Sequence, residues 1–143
     1  MPANVEAVKA KIQSILTQRG TVQIDRDGDF SIGLGSARAF ISVREHGNGQ
    51  ATVVLVFAQV LLNVPLTPDL YKYVALHSDD LVFGHLVLAE MDDNTGMLLI
   101  SHTLLGDYLD EDELLYAVYG VAGAADEFDD KLQQQFGGKR FTD

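Results

Sequence analysis

Few residues in this chain have side chains and spacings that could do chemistry, and most of them sit where turns or strands need them. Gly33-Leu34-Gly35 starts like the glycine-rich turn that cradles a dinucleotide pyrophosphate. Position 38 is Arg and no crossover helix follows directly, so the run reads as a strand bend. Ser36 follows Gly35, but a nucleophile elbow needs glycine two residues to either side, where this chain has Leu34 and Arg38. Asp25, Asp27 and Asp29 could hold a hard cation through their oxygens. A calcium loop counted from Asp25 would need Gly at its sixth place and Glu at its twelfth, and Phe30 and Ser36 occupy them. These aspartates are therefore read as turn formers.

The histidines His46, His77, His85 and His102 are scattered. His85 and His102 could meet across a hairpin in one register, giving a metal or acid–base pair. With Gly96 closing a three-residue loop, His102 faces Leu88 instead. His77, Asp79 and Asp80 carry ligand-type atoms but fall at a helix end, where such residues cap and solvate. The acidic pairs of the last helix lack the Glu-x-x-His partners that a carboxylate di-metal site takes from other helices. No catalytic residue, cofactor site or metal site is assigned. A small enzyme using His85 or His102 with a nearby Asp is kept as an alternative.

The totals narrow the classes further. Against 21 acidic residues stand 10 basic ones, a formal charge of −11. Nucleic-acid phosphates demand a basic footprint, so nucleic acid is excluded as a partner, and anionic membrane surfaces are disfavoured. No run approaches the roughly 18 apolar residues of a spanning helix, and MPANVEAVKAKIQ carries charges where a signal peptide needs an apolar stretch. With no cysteine there is neither a disulfide framework nor a thiolate metal site, and a reducing, cytoplasmic location is expected. At 143 residues the chain is expected to form a single domain over 1–143.

The elements that must position these residues are legible from periodicity and punctuation. A first helix is expected from about Asn4 to Gln18, with Val5, Val8, Ile12 and Ile15 on one face and Gly20 as its stop. In VQIDRDGDFSI, a loop Arg26-Asp27-Gly28 would set Ile24 opposite Phe30 and Val22 opposite Ile32. Asn48-Gly49, between strands Ala37–Arg44 and Ala51–Leu62, is a strong hairpin signal. That turn pairs Val43 with Val54, Ile41 with Val56, Phe40 with Phe57 and Arg44 with Val53. Thr67-Pro68-Asp69 opens a second, short helix carrying Leu70, Tyr71, Val74 and Leu76. A last hairpin, about Leu81–Met91 and Met97–Leu105, is apolar on both faces for part of its length, so neither face can be fully solvated.

The final element is a long acidic helix from Asp110 to Phe136, capped by Asp110 with Glu113 three residues on, and stopped by Gly137-Gly138. Its middle is built of small residues, and Gly120 and Gly123 each cost about 1 kcal/mol against alanine. Close packing is expected there, with the small residues forming a docking stripe on the dry sheet face and the acidic flanks turned to water. The fold class is α+β: an antiparallel twisted sheet of about five strands with three helices, in the order α-β-β-β-α-β-β-α.

This order of elements, with the acidity, resembles the type III secretion chaperone fold, and the local wording is similar to YbjN-like proteins that share it. The residues carrying the resemblance are the run from Asp27 to Ala37, VLVFAQVLLNVPLTPDLY, LLGDYLDEDELLYAV and AGAADEFDDKLQQQFGG, spanning most of 20–138. The resemblance implies a chaperone-like domain, a homodimer, that binds peptide segments of partner proteins without nucleotide or other cofactor. No residue here explains the regulatory roles attached to the YbjN name, and nothing in the chain shows secretion.

Alternation supplies a physical version. Ile41, Val43, Val54, Val56, Leu86, Leu88 and Ile100 form an aliphatic face for the first and last helices. Phe40, Arg44, Phe57, Phe83, Val87 and Leu99 form the opposite face, left for the second helix, a second subunit or an extended peptide. The function expected is a non-enzymatic protein- or peptide-binding module, a chaperone-like adaptor or regulator. The alternative is a structural homodimer without a client.

Overall fold

The computed structural model describes residues 4–143. Among the described residues the order is α1 (Val5–Thr17), β1 (Gln23–Ile24), β2 (Phe30–Leu34), β3 (Ala37–His46), β4 (Ala51–Pro65), α2 (Pro68–His77), β5 (His85–Glu90), β6 (Thr95–Leu105) and α3 (Glu111–Phe136). The strands make one antiparallel sheet in the spatial order β1-β2-β3-β4-β6-β5. The α+β architecture is as expected. The sheet has six strands rather than about five, because Gln23–Ile24 pairs with β2 as a two-residue edge strand.

Local chemistry explains the boundaries. The Asn4 side chain accepts the Ala7 amide at 3.0 Å and starts α1; Thr67 does the same for Leu70 at 3.2 Å, and Asp110 for Glu113 at 2.8 Å. In the β1–β2 turn, Asp25 Oδ1 accepts the amides of Asp27 and Asp29 at 2.9 and 3.0 Å. The aspartates there organise backbone, as their turn habits require. Ile24 faces Phe30, while Val22 falls outside the strand. Asn48 and Gly49 take positive φ of 56° and 78°, and the β3–β4 register is the expected one at all four pairs.

The last hairpin departs from both registers considered. His85 pairs with Ser101 and Leu88 with Leu98. The cause is a short loop in which Asp93 and Asn94 adopt left-handed φ of 59° and 56°, with the Met91 amide closing onto the Thr95 carbonyl at 2.8 Å. The first strand of this hairpin also starts at His85 rather than near Leu81, because residues 78–84 leave α2 as an irregular loop.

Alternation sorts the sheet into a covered and an open face. Ala39, Ile41, Val54, Val56, Ala58 and Ile100 have 0% exposure and lie under α3, with Ile12 and Leu16 of α1 joining the same core. α2 lies on this side too. Tyr73 meets Phe136 of α3 edge-on with ring centres 5.4 Å apart, and the narrow space beside them is lined by Leu86, Phe128 and Leu132. All three helices therefore share one face. Of the three occupants considered for the other face, the second helix is not one.

The small middle of α3 splits between two surroundings. Ala117, Ala122 and Ala125 are the sheet-side docking stripe. Gly120 instead faces Phe83: a Cβ there would come within 2.8 Å of the Phe83 ring. Gly123 meets only Leu34, at 3.8 Å. The acidic flank is not wholly turned to water either. Asp129 is 1% exposed, because the β2–β3 turn folds over it.

Candidate functional site

The open face is a ladder of side chains whose rows follow from the register. One row runs Phe40–Phe57–Ser101–His85 and the next Gln59–Leu99–Val87. A third, Arg44–Val53–Leu105, ends on a leucine that is 55% exposed. Phe40 and Phe57 stack with ring centres 5.6 Å apart and planes at 19°, and both stay half-buried. Opposed aromatics of this kind add to strand pairing, yet their outer surface has no sheet or helix above it. Val87 and Leu99 are half-buried and Arg44 is exposed, its Nε 3.4 Å from Ser42 Oγ. Five of the six residues expected here are thus on one face.

The sixth, Phe83, is elsewhere. It precedes β5 and packs on the helix side, stacked on Tyr116 at 6.2 Å and edge-on to His102 at 5.9 Å. Its place in the irregular loop breaks the alternation from which the expectation came. The histidines are separated in the same way. His85 shares a row with Ser101 on the open face, whereas His102 pairs with Val56 of the covered face. Burial, and secondarily the charge of nearby His85, lowers the pKa of the His102 imidazole below its ordinary value. His77 Nδ1 bonds Asp80 Oδ2 at 2.7 Å, an exposed pairing at the end of α2. Among the described residues no three His, Asp or Glu side chains converge as a metal site.

One cover does reach the open face. After Gly137 the chain turns back, and Lys139 exchanges backbone hydrogen bonds with Leu62 at 2.6 and 2.7 Å, within the irregular stretch of β4. Phe141 then lies edge-on to Phe40, with ring centres 5.9 Å apart. Arg140 pins this tail to α3 by bonding Asp130 and Asp143, and Gln133 Nε2 donates to Asp143 at 2.7 Å. The Arg140 guanidinium holds the Asp143 carboxyl well below the usual carboxylate range. Nothing in the spacing of KRFTD announced this; the signal available was an aromatic among charges just past the helix stop.

Ser36 and its surroundings form the other cluster that sequence reasoning passed over. Its amide and hydroxyl both donate to Asp126 Oδ1, at 2.8 and 2.9 Å, and the hydroxyl also contacts Asp129. The serine rejected as a nucleophile thus ties the β2–β3 turn to α3. The neighbouring Gly35 has φ +59°, and a Cβ there would lie 2.2 Å from the Asp126 carboxylate.

The comparisons with known proteins can be set beside this geometry. Residues 4–143 match the model of the family TY-Chap1, described as T3SS (YopN, CesT) and YbjN peptide-binding chaperone 1. No curated protein matches the chain. Among solved structures the chain is similar to E. coli YbjN, described as a candidate transcription regulator, with a TM-score of 0.61 at 14% identity, over 90% of this chain and 93% of that one. At that identity the likeness concerns the fold.

Proposed function

The chain belongs to the TY-Chap1 family of peptide-binding chaperones, and on that basis we propose that it is a non-enzymatic protein- or peptide-binding module working through its open sheet face. The observation carrying this reading is the half-buried Phe40–Phe57 stack with Leu99 and Val87 beside it, apolar surface that none of the three helices buries and that Phe141 of the tail meets at Phe40. Large exposed apolar patches on a folded protein mark interaction sites.

The chain's own tail illustrates the mode. Lys139 pairs through backbone at Leu62 in a single bridge and the turn after it seats Phe141 on Phe40, the two kinds of contact that an added peptide strand would extend. The client is a protein segment with apolar or aromatic side chains at alternate positions. The protein acts as a single chaperone-like domain over 1–143, in the cytoplasm and as a homodimer, serving as an adaptor or regulator of its partners. A formal charge of −11 supports solubility and disfavours nucleic acid.

Phe57→Asp tests the reading, with affinity capture of bound proteins and sedimentation as readouts. The expected result is loss of partner, of self-association, or of both, at an almost unchanged melting temperature. Leu105→Asp, more exposed, guards against a folding defect. Survival of partner binding and self-association in both folded variants would remove the function from this face.

A further inference from the structure

A separate surface lies on the helix side of the sheet, between α3 and the loop Leu81–Gly84. Two adjoining hollows there, about 380 and 480 Å³, are open to solvent and share Phe83, Tyr119 and Gly120. Their floor exists because Gly120 has no side chain: Phe83 fills the space a Cβ would take and stacks on Tyr116. The walls are aromatic and aliphatic yet uncovered, with Val82 88% exposed, Tyr116 66% and Tyr119 36%. Burying such groups removes apolar surface from water, so the groove can hold an apolar side chain.

The rim decides what flanks that side chain. Asp112 stands at one end and Asp80 and Glu127 at the other, all exposed. The cation lining the groove is Arg19, and Glu111 lies against it at 3.6 Å. We propose that this groove is a second docking site, for a polypeptide segment carrying an apolar anchor between Lys or Arg residues. The anchor fills the aromatic hollow and the cations meet the three rim carboxylates, an arrangement that speeds encounter and rejects acidic partners. The groove and the open sheet face are on opposite sides of the sheet, so the two sites stand or fall separately.

The probe is a fluorescein-labelled synthetic helical peptide with leucine at every third or fourth position and lysine between, set against a twin with glutamate for lysine. Fluorescence anisotropy is expected to show salt-sensitive binding of the lysine peptide alone. Val82→Asp and Tyr116→Ala, both on exposed side chains, should each weaken it by roughly tenfold. Asp112→Lys with Glu127→Lys should weaken it and flatten its salt dependence. Phe57→Asp should leave it unchanged. Equal binding of the glutamate twin overturns the proposal, as does loss of binding in Phe57→Asp but not in Val82→Asp. Self-association of the free protein that Val82→Asp abolishes would give the groove to a second copy and overturn it as well.

Discussion

On the helix side of the sheet Ile41, Val54, Val56 and Ile100 have no exposure at all, while Phe40, Phe57 and Leu99, each next to one of those residues in the chain, stay half-buried. The same strands therefore spend one half of their side chains on a finished core and leave the other half partly unspent. Apolar area already removed from water stabilises the fold; area still exposed can stabilise only a complex. The contrast teaches where to look for function in a domain whose described His, Asp and Glu side chains gather into no metal cluster.

The largest effect should separate the two faces directly. Ile100→Ala deletes atoms from a site with no room to collapse and is expected to cost about 2–5 kcal/mol, read by urea denaturation. Leu99→Ala, one residue along on the open face, should cost roughly 1 kcal/mol or less, because less of it is buried. Equal losses for the pair would mean that the open face is covered in solution, and the contrast would fail.

Gly35→Ala comes next. The new methyl would meet the Asp126 carboxylate at a backbone φ of +59°, so a loss of about 1–3 kcal/mol is expected. The same substitution at Gly47, where φ is +63° and nothing stands within 4 Å, isolates the backbone part. Should the two variants melt alike, the Ser36–Asp126 tie contributes nothing to the covered face. Phe57→Asp ranks third for stability and first for binding: its melting point should shift little while partner capture is lost.

Much of this contrast was legible before any coordinates. Two-residue alternation and the Asn48-Gly49 turn placed Phe40 opposite Phe57 and Ile41 opposite Val56, because a hairpin with a defined turn has only one register. The same logic failed at the last hairpin, where two non-glycine residues, Asp93 and Asn94, took left-handed conformations and set the loop at Asp92–Asn94. It failed again at Phe83, whose irregular backbone carries no alternation. Asp129 was read as solvated because a carboxylate on a charged helix end usually is; it is buried under the β2–β3 turn, where its partner Ser36 is 93 positions away in sequence. Side-chain partners at that separation leave no mark in local spacing. The tail over Phe40 was hidden for the same reason.

That tail permits the finest comparison, between a cover that titrates and one that does not. Asp143 accepts from Arg140 and Gln133, and Arg140 lowers its folded-state pKa. A carboxyl depressed on folding contributes its stabilisation above its unfolded pKa, about 3.9, and loses it as pH falls toward the folded value. The tether is therefore intact at neutral pH and weakens below about pH 4, whereas the contacts of Ile41, Val56 and Ile100 contain no titrating group. Hydrogen exchange, corrected for the intrinsic pH dependence of amide rates, should show Lys139 and Leu62 losing protection in acid before the β3–β4 amides do. Asp143→Asn should produce the same early loss at neutral pH, because it removes the charge that holds Arg140. If Lys139 stayed protected in that variant, the tail would be held by Phe141 on Phe40 and the Leu62 pairing alone. The open face would then carry a fixed cover over one end, and a client would have to approach from the Leu99–Val87 side.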